Sequence, residues 1–159
     1  MSGGEMLFKY IGGIGVPKNY KIAYDRDRKL LETIYEAKIA TDKLFFICTS
    51  DLKLKLHFHI TDGAFVGLSC EGLELDLLPR GNMEIPYAPD GEVKMDCTLN
   101  GIIPGCTYFA FRGGASYDES KNCVLFGVIS DNDAVYRVLD NAYLSISCDG
   151  SLSGVIIKL

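Results

Sequence analysis

His57 and His59 are the only histidines in the chain, and they stand two residues apart. On a strand such a pair projects to one side, about 6–7 Å apart, and the two imidazoles can share a metal ion. A catalytic metal normally needs a third protein ligand, and neither neighbourhood supplies one. The expectation is therefore no metal and no other cofactor. His57 and His59 instead continue Lys53 and Lys55 as a basic stripe that faces solvent or a neighbouring subunit.

Cupins carry His-x-His as well, with a glutamate four or five residues on and a third histidine in a later motif. Here Gly63 and Ala64 stand at the glutamate position, Asp51 replaces the leading glycine, and there is no third histidine. That likeness fails. Glu71, Glu74 and Asp76 alternate with Leu73, Leu75 and Leu77. Paired carboxylates serve glycoside hydrolysis, yet on an amphipathic strand they are the wet face. Asp131-Asn132-Asp133 lacks the spaced ligands of a calcium loop and reads as a turn. Gly12-Gly13-Ile14-Gly15 lacks a Gly-Lys-Ser/Thr ending, and Pro17 breaks the helix start that a dinucleotide turn requires. No catalytic residue emerges, and the chain is not expected to be an enzyme.

Six cysteines, at 48, 70, 97, 106, 123 and 148, form no C-x-x-C pair, which removes the common structural zinc sites. Cys97 and Cys148 fall on apolar strand faces, so reduced core thiols are expected, with a Cys97–Cys106 disulfide as the alternative. Tyrosines in loops suit sugar or protein contacts, and Tyr87 and Tyr117 join the basic stripe as candidate binding residues.

The elements that must position these residues follow from length and pattern. At 159 residues the chain suits one domain with a sizeable core. Its net charge of −5 shows no basic patch, which weighs against nucleic acid. Apolar residues make up 48% against 23% charged, more than one small core needs, and an oligomer interface would absorb the excess. No stretch is long enough to span a bilayer, and the N-terminus shows no secretory signal. A cytoplasmic or virion location is favoured, although the mature form of an exported protein would read the same way.

Residues 1–24 read as an extended arm and 25–159 as a single domain. The segment 27–39 is expected to be a short helix, with a hairpin turned at Asp27-Arg28 as the alternative. From Leu44 onward the pattern is strands, at 44–49, 52–60, 64–70, 73–78, 92–99, 107–112, 123–129, 134–139, 142–148 and 152–158. One hairpin can be built in register. A three-residue loop with Gly63 in the left-handed region pairs Phe58 with Val66, Leu56 with Leu68, Leu54 with Cys70 and His57 with Gly67. It also sets Lys53 against Glu71.

Pro104 and Gly105 make a tight turn between two alternating runs and deliver Tyr108 to the next strand, the arrangement of a tyrosine corner. The segment 99–111, Leu-Asn-Gly-Ile-Ile-Pro-Gly-Cys-Thr-Tyr-Phe-Ala-Phe, resembles that corner in fibronectin type III and immunoglobulin-like domains. The resemblance implies an all-β, antiparallel Greek-key sandwich and a role in adhesion or assembly. No tryptophan marks an early core strand, and some 45 residues follow the corner strand. The sheets must therefore be elaborated, or the sandwich is of jelly-roll type.

The unbroken apolar runs 44–48 and 123–129 call for cover on both faces, which a two-layer sandwich does not give. The functional expectation is a non-catalytic structural or protein-interaction module that forms a homo-oligomer, such as a virion or appendage component. A module that binds carbohydrate or a small molecule is the alternative. A metal enzyme using His57 and His59 ranks last.

Overall fold

The computed structural model describes residues 9–35, 43–49, 53–95, 106–108 and 113–159, the span 106–108 by backbone alone. Strands occupy Tyr10–Ile14 (β1), Lys21–Asp25 (β2), Leu30–Ile34 (β3), Leu44–Cys48 (β4), Leu54–His59 (β5), Phe65–Glu71 (β6) and Gly91–Met95 (β7). They continue with Cys106–Tyr108 (β8), Ala115–Asp118 (β9), Cys123–Gly127 (β10), Ala134–Leu139 (β11), Ala142–Ile146 (β12) and Leu152–Lys158 (β13). The fold is all-β, as expected.

Two sheets face each other over one core. The first runs β2-β3-β6-β5-β4-β8 and the second β11-β12-β13-β10-β9, with a separate ribbon β1-β7. Pairing is antiparallel except between β4 and β8. All of the second sheet lies after β8, so the trailing residues build a complete layer. Leu54, Leu56, Phe58 and Leu68 of the first sheet share a core with Val124, Phe126, Leu144, Val155 and Ile157 of the second. The ribbon adds Tyr10, Val93 and Met95 to the same core. Single bridges, Ala64 to Lys94 and Asp90 to Arg137, tie its ends to the two sheets.

The expected helix near 27–39 is not formed by the described residues. The Asp25 carboxylate accepts from the backbone N–H groups of Asp27 and Arg28 at 3.0 and 3.1 Å, and Lys29 adopts a φ of 52°. Those features close a turn between β2 and β3, and Leu31 then alternates into the core. The apolar residues of this segment fit either period, and the turn chemistry decides. Within the segment expected as an extended arm, the described residues include β1, paired with β7, and β2, paired with β3. The expected strand 73–78 is an irregular link with a short 3-10 turn at Leu75–Leu77, which buries Leu73 and Leu75 but leaves Leu77 in solvent.

The β5–β6 hairpin has the derived register, with Leu54 opposite Cys70, Leu56 opposite Leu68 and His57 opposite Gly67. Gly63 has the expected positive φ, 72°. A bulge after His57 then sets Phe58 against Phe65 rather than Val66. The shift brings the two rings edge to face at 5.8 Å inside the core. The expected Lys53–Glu71 pair is not an ion pair. Lys53 sits at a φ of 53° just before the strand begins.

The outer face of β10 is covered from within the chain. Residues 79–90 cross it, and Met83 and Ile85 pack on Cys123, Leu125, Tyr143 and Ile156. This strap is a third layer, so a subunit is not needed to cover that face. Cys48 is disulfide-bonded, whereas Cys70, Cys123 and Cys148 are thiols outside any disulfide. Cys148 is exposed, not buried as expected, because β12 ends at Ile146 after a bulge and the chain turns away. Cys97, Pro104 and Gly105 lie outside the described residues, as do the side chains of Cys106 and Tyr108.

Candidate functional site

The basic stripe splits in two. Lys53 and Lys55 are exposed, while His57 and His59 are half-buried. His57 lies opposite Gly67, and that glycine shapes its surroundings. A Cβ at position 67 would overlap the Tyr35 hydroxyl and lie 2.7 Å from Thr33 Oγ1. Without one, the Tyr35 hydroxyl crosses the strand and reaches His57 Nδ1 at 2.8 Å. His57 Nε2 lies 3.3 Å from Ser69 Oγ. Phe46 meets the imidazole edge-on at 4.9 Å, and Tyr20 meets Tyr35 the same way at 5.0 Å.

Burial lowers the His57 pKa to about 4, helped by the positive charge of Lys55. Burial also raises that of Tyr35, which keeps its hydroxyl protonated. A neutral imidazole offers one donor and one acceptor, and both are engaged here. His59 Nδ1 pairs instead with Thr61 Oγ1 at 3.0 Å. Among the described residues no three His, Cys, Asp or Glu side chains cluster as a metal site.

Ser69, His57 and Tyr35 have the connectivity of nucleophile, base and orienting group. Their chemistry is otherwise. A base with a pKa near 4 takes up a proton poorly at neutral pH. Ser69 also sits mid-strand between β3 and β5, and the N–H of the preceding Leu68 is taken by Thr33 Oγ1.

The two candidate tyrosines part company. Tyr117 is core: it shares the inward face of β9 with Ala115, donates to Asn122 Oδ1 at 2.6 Å and lies under the Arg80 guanidinium at 5.1 Å. Tyr87, in the strap, is 92% exposed. A shallow cleft of about 210 Å³ opens elsewhere, between Tyr24, Arg26, Lys29 and residues 74–77. Its charges are paired, Lys29 with Glu74 at 2.7 Å and Arg26 with Asp76 at 3.9 Å. In the core, the Tyr10 hydroxyl is buried without a hydrogen-bond partner.

Three apolar side chains on and just beyond β1 are exposed, Ile11 at 60%, Ile14 at 85% and Val16 at 82%, with Ile11 and Ile14 on opposite faces of the strand. The other sheet edges with described neighbours are capped. Pro79 and Gly81 hydrogen-bond to Tyr117 on β9, Pro89 to Arg137 on β11, and Asp140 to Tyr20 beside β2. On β1 the one such contact is Tyr10 N–H to Gly150 O at 2.7 Å.

No family model matches the sequence, and no curated protein is recognisably similar to it. Tyr35 and Ser69 were missed as partners of His57, and Tyr20 as the ring against Tyr35. The derived register already placed Gly67 opposite His57, and a glycine in mid-strand is a signal of close approach by another group.

Proposed function

We propose that the chain is a non-catalytic structural module that assembles with copies of itself, as a unit of a virion or an appendage would. The observation that carries this reading is the exposure of Ile11, Ile14 and Val16 beside the edge of β1 that no other described strand pairs. Native sheets usually blunt such edges with charge, proline or cover. Large exposed apolar side chains grouped along such an edge mark contact sites. The test is light scattering across the micromolar range. A mass that is a multiple of 17.5 kDa is expected, and the monomer mass throughout would overturn the reading.

The cleft beside Tyr24 favours a second reading, a module for carbohydrate or another small polar ligand. It combines an aromatic ring, an exposed leucine and paired charges. Calorimetric titration with simple sugars tests it, and heat lost in Arg26→Ala is the expected sign of specific binding.

A further inference from the structure

We infer that the contact is made by the edge of β1 turned away from β7, which no other described strand pairs, and that two copies join it antiparallel about a two-fold axis at Gly13. The inference rests on the self-assembly reading and gives it a surface and a register.

The phase of the edge follows from two hydrogen bonds. Gly15 N–H donates to Asp90 O at 3.1 Å on the β7 side, and Tyr10 N–H donates to Gly150 O on the opposite side. Antiparallel strands alternate the direction of their backbone groups. Ile11 and Gly13 therefore turn theirs to β7, while Gly12 and Ile14 turn theirs to the open edge. A two-fold axis at Gly13 sets Gly12 against Ile14 of the second copy and Ile14 against its Gly12. Both pairs then exchange N–H and C=O bonds.

On the outer face the register suits the side chains: Ile11 falls across from Gly15, where a side chain would meet only Glu92 at 3.7 Å, whereas Ile14 falls across from Gly12, whose inner side is filled by Tyr136 and Ile146. At Gly13 itself the space where a side chain would stand is open, with nothing within 4 Å. Charge points the same way. The protein carries −5 overall, yet residues 10–17 are uncharged and flanked by Lys9 and Lys18, so repulsion between copies is least here. An unrelated extended peptide would gain the backbone bonds without the pairing of Ile11 with Gly15. The three exposed side chains offer on the order of 400 Å² per copy, about half the roughly 800 Å² per partner of a standard interface. The dimer is therefore expected to be concentration-dependent.

The experiment uses Gly13→Cys in a Cys148→Ser background, which removes the exposed native thiol. In a central pair without hydrogen bonds the two Cα atoms lie about 4.5 Å apart, within disulfide reach. Mild oxidation at micromolar concentration should give a covalent dimer linked through position 13, as mapped by mass spectrometry. Ile11→Cys should give none, because its two positions are then about 13 Å apart. In the parent, Ile14→Lys should return the mass to 17.5 kDa with the unfolding midpoint unchanged. A protein that is oligomeric but neither crosslinks at 13 nor responds to Ile14→Lys overturns the β1 interface and leaves self-assembly standing. A monomer throughout overturns both. If Gly13→Cys does not fold, Ile14→Lys decides alone: an unchanged oligomer mass sinks the inference.

Discussion

Asn141 treats Ile22 as a neighbouring strand would. Its Oδ1 accepts from the Ile22 N–H at 2.8 Å and its Nδ2 donates to the Ile22 carbonyl at 2.8 Å. The same nitrogen donates to Lys158 O at 2.6 Å, and the Asn141 carbonyl accepts from Lys158 N–H at 2.9 Å. One side chain thus caps the edge of the first sheet and pins it to β13 of the second. Its place in the turn between β11 and β12 makes this geometry available.

Asn141→Asp keeps the acceptor but loses both donors, and it turns a carboxylate toward two carbonyl oxygens. Leaving partly buried polar groups unsatisfied costs about 1–3 kcal/mol. The denaturant midpoint should fall accordingly, and the Ile22 amide should exchange faster with solvent. An unchanged midpoint would mean that the two sheets do not depend on this contact.

Gly67→Ala tests the surroundings of His57. The added methyl overlaps the Tyr35 hydroxyl and crowds Thr33, whose Oγ1 bonds the Leu68 N–H at 2.8 Å. Overpacking of this kind costs about 1–3 kcal/mol. The Gly67→Ala, Tyr35→Phe double variant should recover part of the loss, because the clashing oxygen is gone. Equal stability of the single and double variants would refute the steric account.

How much of this could be read from the chain depends on where the decisive physics is local. Residues 54–70 were legible because strict alternation and Gly63 fix both faces and the turn, and only the bulge at Phe58 escaped. The pair β2–β3 was misread because Leu30, Leu31, Ile34 and Tyr35 satisfy a helical and an extended period alike. There the Asx turn at Asp25 and the positive φ of Lys29 carry the outcome. The strap over β10 was invisible for a different reason. Residues 79–90 have no periodicity, and only the three-dimensional path brings Met83 onto Cys123 and Ile156. For the site, the sequence named His57 but not Tyr35, which reaches it from another strand.

The thiols should react in a fixed order. Cys148 is exposed, whereas Cys70 and Cys123 are buried, and burial raises the Cys70 pKa to about 12. Only the thiolate reacts. Of these three, Cys148 alone should label with a thiol reagent in the native protein at pH 8, and the other two only after unfolding. Cys48 should label only after reduction. Rapid native labelling of Cys123 would show that the strap carrying Met83 opens readily.

The last prediction concerns acid. His57 has a folded-state pKa near 4, below its ordinary value of 6.5. Between those values the unfolded chain binds more protons than the folded one, so stability rises with pH across that window. The contribution is complete above about pH 6.5 and is lost as the pH falls toward 4. For a half-buried ring, screened in part by solvent, the loss should be about 2 kcal/mol. Asp90 acts in a different range. Its hydrogen bond to Arg137 lowers its pKa further below the ordinary carboxylate value, so its share is lost only in stronger acid. Urea midpoints measured from pH 7 to pH 4.5 should therefore decline in the parent and stay much flatter in His57→Phe. That variant keeps an aromatic ring against Phe46 and Tyr35 but cannot take up a proton. It is less stable than the parent at pH 7, since Tyr35 and Ser69 lose their partner, and the two curves converge as the acid limit is approached. Parallel curves would mean that the imidazole titrates normally, and that the Tyr35–His57–Ser69 contacts do not hold it neutral in solution.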